Sequence, residues 1–445
     1  MDCREDSQHQ AMPRKRAAEF CDCAILCLLA KSLAVGVGAG IVVSAFRLLV
    51  ALAERTAFSL YAYVGAHPGL IAPLVLALAL AGLAIGWLIK TVPLVTGSGI
   101  PQTRGLITGR LQGSWWRMLL GKFFGASLIT FGGLALGREG PAVQLGGCIG
   151  LGVGERFAAD PNERRMLIAG GAGAGLGVAL SAPLTGMTFA LEEMQRSFSP
   201  RFLLSALTAA MSAQLISCRI FGVGPLFDFP LSQTLPWSAY WLLLPLGIIA
   251  GLCGVAYNII LIRSQRLYKS FRRLPLLTRP VWPFMLAALV GLTLPEALGG
   301  GEIIIGRLDL GLPFTYLLLL LAAKFVFFVV CFDSGAPGGN LFPILVLGAM
   351  LGAVCGYLAV HLLGLEPQFY ANIVTMVMAG YFAAITRTPI TAVLLVVEVT
   401  GSLPQALALA VIVIISCAVA DVLRCRPIYD SLLDSYVADN EFGPC

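Results

Sequence analysis

Residues 137–154 read GREGPAVQLGGCIGLGVG, and residues 339–356 read GNLFPILVLGAMLGAVCG, 202 positions later. Glycine, proline and leucine fall at matching places in the two stretches, and the same offset aligns Lys122 with Lys324. Nearer the carboxyl end the offset becomes 206 and aligns three residues with three others: Pro183, Thr185 and Glu192 with Pro389, Thr391 and Glu398. So many matches at one offset are rarely chance, and they predict two related halves. Duplicated membrane transporters commonly place their site between the halves, where helices are broken.

Composition decides the class of protein. The chain has 445 residues, of which 58% are hydrophobic and 12% are charged. Soluble domains carry about 25% charged residues, so this composition predicts a polytopic membrane protein in contact with the lipid bilayer. The predicted apolar segments approach the length that spans a bilayer, or are shorter and packed in series: 24–53, 70–90, 117–136, 202–222, 238–262, 282–298, 312–332, 343–363 and 404–424.

Basic residues and cysteines have simple interpretations. The basic run 14–16 is typical of a cytoplasmic flank rather than of a cleaved signal peptide. Other bases are predicted to set topology and not to bind lipid or nucleic acid: Arg104, Arg110, Arg117, Lys122, Arg263, Arg266, Lys269, Arg272 and Arg273. Cys21, Cys23 and Cys27 cluster, but no second cysteine or histidine pair lies nearby in sequence to complete a tetrahedral site, so no metal is expected.

Three short runs place glycines before a proline that opens an apolar stretch: 97–101, 137–141 and 338–343. Proline is well tolerated in the first turn of a helix, and the glycines let backbone approach a ligand closely. A helix amino-terminus carries unpaired N–H groups and the positive end of the helix dipole, so it attracts an anion. We expect three such termini to be directed inward and to form an anion site together. No ring of acids that would suit a cation is evident in the apolar segments.

Glu139 is a carboxylate set between long apolar stretches. A charge at membrane depth is costly, and it is usually retained for function. The alternative is a carboxylate that only satisfies the start of its helix, as is common at surfaces. Its neighbour Arg138 is predicted either to tune the anion potential or to form a structural ion pair.

Two enzyme classes are disfavoured. The glycines of 171–177 are spaced every second residue, unlike the GxGxxG of a nucleotide loop, and close helix packing explains them better. An intramembrane protease would need a serine with a histidine, or paired aspartates, and the three histidines and Asp333 do not supply such a set. We therefore expect no enzyme activity and no cofactor.

The motifs resemble a known family. GSGIP at 97–101, GREGP at 137–141, a GxFxP-like element at 339–343 and the late Tyr429 resemble the CLC chloride channels and chloride/proton antiporters, over residues from about 24 to 436. The resemblance implies an all-α membrane fold with many tilted and broken helices, halves arranged as an inverted repeat, and a homodimer with one pathway per subunit. The regulatory nucleotide-binding modules of some eukaryotic relatives are not expected after Tyr429.

The expected division of the chain follows this resemblance and the repeat. It comprises a cytoplasmic amino-terminal segment, a first transmembrane repeat, a connecting helix and loop, a second transmembrane repeat and a short cytoplasmic tail: 1–23, 24–200, 201–239, 240–430 and 431–445. Both termini are expected in the cytoplasm, and the expected location is the cell inner membrane.

The resemblance also implies ligands for a central chloride. The hydroxyl groups of Ser98 and Tyr429 would donate to it from opposite sides, and backbone amides around Asn340, Leu341 and Phe342 would complete the site. A second, outer anion position would be lined by the backbone amides from Arg138 to Gly140. Neutral donors suit an ion that must leave as well as enter. Ser98 favours chloride over other anions.

Two glutamates would carry protons by the same resemblance. Glu139 would be the gating glutamate, blocking the pathway when ionised and swinging out when protonated, and Glu193 would be the inner proton glutamate. The repeat pairs Glu192 with Glu398, which predicts a structural role for those two. A carboxylate exposed at a helix end is the alternative for Glu193.

One departure from the family pattern concerns the third motif, where Leu341 occupies the place of the expected phenylalanine and Phe342 follows it. Amide donors survive a change of side chain, so anion binding is expected to persist, whereas gating and anion preference are open. The predicted function is chloride/proton exchange, with no cofactor beyond the transported chloride and protons. A passive voltage- or proton-gated chloride channel is the nearer alternative, and a proton-coupled cation transporter the more distant one.

Overall fold

The computed structural model describes residues 14–441 apart from positions 228, 230, 232, 271–274 and 276. Its α-helices follow one another along the chain: α1 Arg14–Ala66, α2 Ile71–Thr91, α3 Ile100–Ile107, α4 Trp115–Phe131, α5 Glu139–Phe157, α6 Pro161–Leu180, α7 Pro183–Phe189, α8 Pro200–Phe221, α9 Leu243–Ser270, α10 Val281–Thr293, α11 Glu302–Ile305, α12 Phe314–Asp333, α13 Leu341–Leu363, α14 Tyr370–Thr386, α15 Pro389–Thr400, α16 Ala406–Val422 and α17 Ile428–Glu441. No β-strand occurs within these described ranges, which confirms the all-α class.

Eight helical segments of the described chain are long and apolar enough to cross a membrane. The protein is therefore a multi-pass membrane protein. Residues 367–386 are one of these segments, and the list of apolar segments drawn from the sequence left them out. That omission was wrong, and its cause is burial. Because this segment is surrounded by protein and not by lipid, it can contain polar residues such as Asn372 and Thr375, which weaken the apolar signal.

The helices of the two halves correspond one to one, α1–α8 with α9–α16. The backbone conformation is also repeated between the halves. Gly97 and its equivalent Gly299 have φ angles of 62° and 63°. These positive angles favour glycine and turn the chain into α3 and α11. Gly137 and Gly339 form an antiparallel bridge with N–O distances of 2.8 Å in both directions. Reciprocal contacts between equivalent residues define a local twofold axis, which confirms the two related halves.

Glu192 and Glu398 make the same contacts across this axis. Glu398 accepts hydrogen bonds from the amide of Leu184 at 3.0 Å and from the amide and hydroxyl of Thr185, both at 2.7 Å. Glu192 accepts from the amide of Ile390 at 3.0 Å and from the amide and hydroxyl of Thr391 at 2.8 and 2.7 Å. Each glutamate thus caps the helix of the other half, α7 or α15, as a structural role requires.

Helix order also bears on the division of the chain. α8 corresponds to α16, which lies inside the second repeat. We propose that the first repeat extends from 24 through 221 and that the connection is correspondingly shorter than 201–239. The first thirteen residues of the amino-terminal segment and residues 442–445 of the tail lie outside the described residues, as do the side chains of Cys21, Lys269, Arg272 and Arg273.

Replacing Glu398 with alanine is expected to lower stability by about 1 to 3 kcal/mol, because the helix-start amides of α7 lose their charged acceptor. By the local twofold symmetry, Glu192→Ala is expected to cost a similar amount at α15. Thermal unfolding of the purified protein in detergent would measure both. A loss confined to one of the two variants would contradict the symmetric capping role.

Candidate anion and proton sites

The amino-termini of α3, α5 and α13 meet at the local twofold axis. A Cβ atom added to Gly140 would lie 2.6 Å from the Ser98 hydroxyl oxygen and 2.8 Å from the Cα of Gly339. Only glycine permits this approach, because neither backbone can move away without breaking the bridge between the halves. The structure therefore brings together the three glycine- and proline-containing helix starts that the sequence singled out.

Several donors at the amino-termini of these helices and of α17 are unsatisfied. The hydroxyl groups of Ser98 and Tyr429 are buried, and neither has a hydrogen-bond partner within the described part of the chain. The first-turn amides of Gly140, Leu341 and Phe342 likewise have no acceptor among the described residues. Buried donors nearly always have an acceptor, so this group fits an anion that approaches the helix ends. Phe342 directs its ring away, to Phe227 at 5.9 Å between ring centroids.

Two buried lysines support the loops that lead into α3 and α11. Lys122 donates to the carbonyls of Val95 and Gly97 at 2.9 and 2.5 Å. Lys324, its repeat partner, donates to the carbonyls of Ala297, Leu298 and Gly299 at 2.9, 3.3 and 2.7 Å. The prediction that Lys122 is a loop base that sets topology was wrong. It lies inside α4, where its ammonium group binds carbonyls of the loop just before Ser98 and so supports the position of that serine.

Glu139 begins α5 and is only 1% exposed. One carboxylate oxygen lies 3.7 Å from Nε of Arg138, and the other has no hydrogen-bond partner in the described chain. Arg138 also forms an ion pair with Glu302, the first residue of α11. These two carboxylates neutralise the guanidinium group, which favours the ion-pair alternative for Arg138 over direct anion binding by its side chain. Its backbone remains part of the α5 start.

Glu193 lies in a short π-helical turn, Ala190–Gln195, that continues α7, and it too is 1% exposed. Its Oε1 accepts a hydrogen bond from Arg104 of α3 at 2.8 Å, while its Oε2 has no partner among the described residues. Arg104 contacts Asp430 of α17 at 2.5 Å. The topological interpretation of Arg104 was therefore wrong, because this arginine is buried and bridges two acids. The exposed-carboxylate alternative for Glu193 is also wrong.

Tyr429 interacts electrostatically with both buried glutamates, Glu139 and Glu193. Both carboxylates are near enough to the Tyr429 phenol group for their charges to act on it. Tyr257 of α9 packs nearby, within range of Tyr429 and with its ring stacked on Phe328 at 5.9 Å. The sequence offered no signal for Tyr257, Glu302 or Asp430, because each is a single residue whose neighbours come from distant segments.

Residues 81–421 match the profile of a family described as voltage gated chloride channel. The chain belongs to this family. Among its relatives are the H(+)/Cl(-) exchange transporters ClcA of Salmonella arizonae and Klebsiella pneumoniae, each 32% identical over 437 residues, which cover 94% of this chain and 90% of the relative. Membership confirms the resemblance to CLC proteins.

Solved structures agree with that family. A slow cyanobacterial Cl-/H+ antiporter superposes with a TM-score of 0.87 and 28% identity, over 93% of this chain and 99% of that one. A CLC-type fluoride/proton antiporter superposes with a TM-score of 0.73 and 25% identity, over 91% of this chain and 97% of that one. This CLC protein therefore has the fold of known family members.

Proposed function

We propose that this CLC protein exchanges chloride for protons across a membrane. The observation that carries the proposal is the pair of buried, unpartnered hydroxyls of Ser98 and Tyr429 at helix amino-termini, with the unpaired carboxylate oxygen of Glu139 beside the same helix starts. Relatives whose names describe exchange of H+ and Cl-, at 32% identity over nearly the whole chain, support it.

Chloride would occupy the central site between Ser98 and Tyr429, with the amides of Leu341 and Phe342 completing its donors. Neutral hydroxyl and amide donors replace part of the hydration shell without holding the ion so tightly that it cannot leave. The amides at the start of α5 would form the outer position. There the Glu139 carboxylate competes with chloride for the same positive helix end, because both are anions.

Protons would use the two buried glutamates in turn. A neutral Glu139 no longer competes for the anion position, so protonation and chloride entry are coupled at one place. Glu193, on the side of α17 that we call the inner side, would exchange protons with the inner solution. Tyr429 lies within electrostatic range of both, so the chloride site and the two proton sites share one low-dielectric region.

The alternative functions differ in which ions cross the membrane. A passive chloride channel would use Glu139 only as a gate, and no proton would cross. A proton-coupled cation transporter would need converging acidic ligands, and no group of three metal-ligating side chains occurs among the described residues. We further propose a homodimer in the cell inner membrane, with both termini cytoplasmic, as the family resemblance implies.

Flux in liposomes tests the function directly. With a chloride gradient imposed on protein-containing vesicles, we expect protons to move against their own gradient, because exchange ties the two flows together. A pH electrode and a chloride electrode would follow both. Chloride flux without proton movement would leave the passive channel, and flux of a cation in place of chloride would contradict the anion assignment.

Replacing Lys122 with methionine is expected to weaken chloride binding about tenfold, or about 1.4 kcal/mol, because the loop that presents Ser98 loses its support. Lys324→Met is the matched control, since it releases the equivalent loop, which has Gly300 in place of the serine. Titration calorimetry with chloride would measure both. Equal loss of affinity in the two variants, at similar thermal stability, would contradict the positioning role.

A further inference from the structure

The acid and base groups around Glu193 form an alternating row that leads from the buried glutamate to the inner surface. Glu193 contacts Arg104 at 2.8 Å, Arg104 contacts Asp430 at 2.5 Å, and Asp430 contacts Arg196 at 2.9 Å. The exposed fraction of the side chain rises along this row from 1% to 10%, 19% and 45%. The groups belong to α3, α17 and the π-helical turn, so only the tertiary structure aligns them.

When Glu193 takes up a proton, the compensation of the Arg104 charge changes. If Arg104 had Glu193 as its sole partner, a neutral Glu193 would leave a buried and uncompensated guanidinium ion, which is strongly unfavourable. That cost would keep Glu193 ionised. Asp430 removes the difficulty, because it pairs with the same Nη1 nitrogen of Arg104 and supplies a negative charge to it when Glu193 is neutral.

We propose that Arg104 is a positioning residue shared between Glu193 and Asp430, and that this sharing is what allows Glu193 to load and release protons at the inner side. The inference rests on the proposed exchange function. The proton would bind the Glu193 Oε2 atom, which has no partner in the described chain, while Oε1 stays with Arg104. On release the proton passes to water on the inner side and Glu193 regains its full pairing.

The charged and titratable groups of the described chain that act on Glu193 give the electrostatic prediction a definite sign. They are Arg104 from α3, Asp430 and Tyr429 from α17, and Arg196 at the end of the same segment as Glu193. Removing the positive charge of Arg104 makes ionised Glu193 less favourable, so protons are held more tightly. Removing the negative charge of Asp430 leaves Arg104 to Glu193 alone, so protons are held less tightly.

The test uses two variants with opposite expectations. In vesicles with equal pH on both sides, proton-coupled chloride flux is measured over a series of pH values. Arg104→Gln is expected to move the midpoint of the pH profile upward by about one unit or more, and Asp430→Asn to move it downward, as expected for a carboxyl group that loses or gains a cationic neighbour. A merely structural role of the pair would shift both variants in the same direction or not at all.

Arg110→Gln provides the matched control. Arg110 lies in the turn after α3 and pairs with Asp434 of α17 at 2.9 Å, and Glu193 pairs with Arg104 instead. Its pH midpoint is expected to match that of the unmutated protein. An unshifted Arg104→Gln profile in a protein that still couples protons to chloride would overturn the inference, whereas an absence of coupling in the unmutated protein would overturn the exchange function itself.

Discussion

Replacing Glu139 with glutamine is expected to abolish proton movement while chloride flux continues. Glutamine keeps the size of the side chain but cannot ionise, so it neither carries a proton nor competes as an anion at the start of α5. The Oε2 atom of Glu139 has no partner in the described chain, and Arg138 retains its ion pair with Glu302 when the Glu139 charge is removed. Simultaneous proton and chloride recording in vesicles measures the effect.

A second acid near Glu139 provides the control. Glu54 of α1 lies beside Gly299 at the entry to α11, and Glu54→Gln also removes one carboxylate charge from the region. We expect this variant to keep proton coupling, since Glu54 does not lie at the start of α5. Persistent proton movement in Glu139→Gln would rule out Glu139 as the outer proton group, and loss of coupling in Glu54→Gln would show that overall charge matters rather than position.

Replacing Glu193 with glutamine is expected to stop proton movement and to leave chloride flux close to its original rate. The side chain pairs with Arg104 of α3 and is not part of the start of α5. Without its carboxylate, protons that reach the protein interior would have no inner acceptor, whereas the proposed chloride ligands Ser98 and Tyr429 are unchanged. The measured quantity is the number of protons moved per chloride, which is expected to fall to the background of empty vesicles.

The adjacent residue gives a close control. Glu192→Gln changes the neighbouring acid, which caps α15 and does not contact Arg104. This variant is expected to lose thermal stability and to keep its coupling ratio. If Glu192→Gln lost coupling and Glu193→Gln retained it, the assignment of the inner proton group would pass to Glu192.

Much of the fold was predictable because local sequence patterns specify it. Glycine before proline marks a helix start wherever the helix later packs, and a repeat of such marks at a constant offset predicts two halves without any contact being known. The sequence-based list of apolar segments missed 367–386 because high apolar content indicates contact with lipid, and this segment is buried within the protein. Ser98, Tyr429, Glu139 and Glu193 were indicated by the resemblance to the CLC family, which rests on short local motifs.

Charged partners were not predictable in this way. Lys122 and Arg104 carry the same charge as any loop base, and nothing beside them in the sequence distinguishes a buried base from an exposed one. Their roles follow from acceptors that lie far along the chain, as Arg104 and Asp430 illustrate. A buried charge is tolerated only where such partners converge, and convergence is a property of packing.

The sequence by itself therefore determined that this protein is a duplicated, helical membrane protein with helix starts marked by glycine and proline, because periodicity, punctuation and residue type are local. The two candidate proton glutamates came from the family resemblance. Only the tertiary structure decided which donors meet and which charges are shared. Gly140 lies between Ser98 and Gly339, and Arg104 lies between Glu193 and Asp430, because the local twofold axis and the return of α17 bring together segments that are distant along the chain. Electrostatic interactions depend on those distances in space and not on separation along the chain.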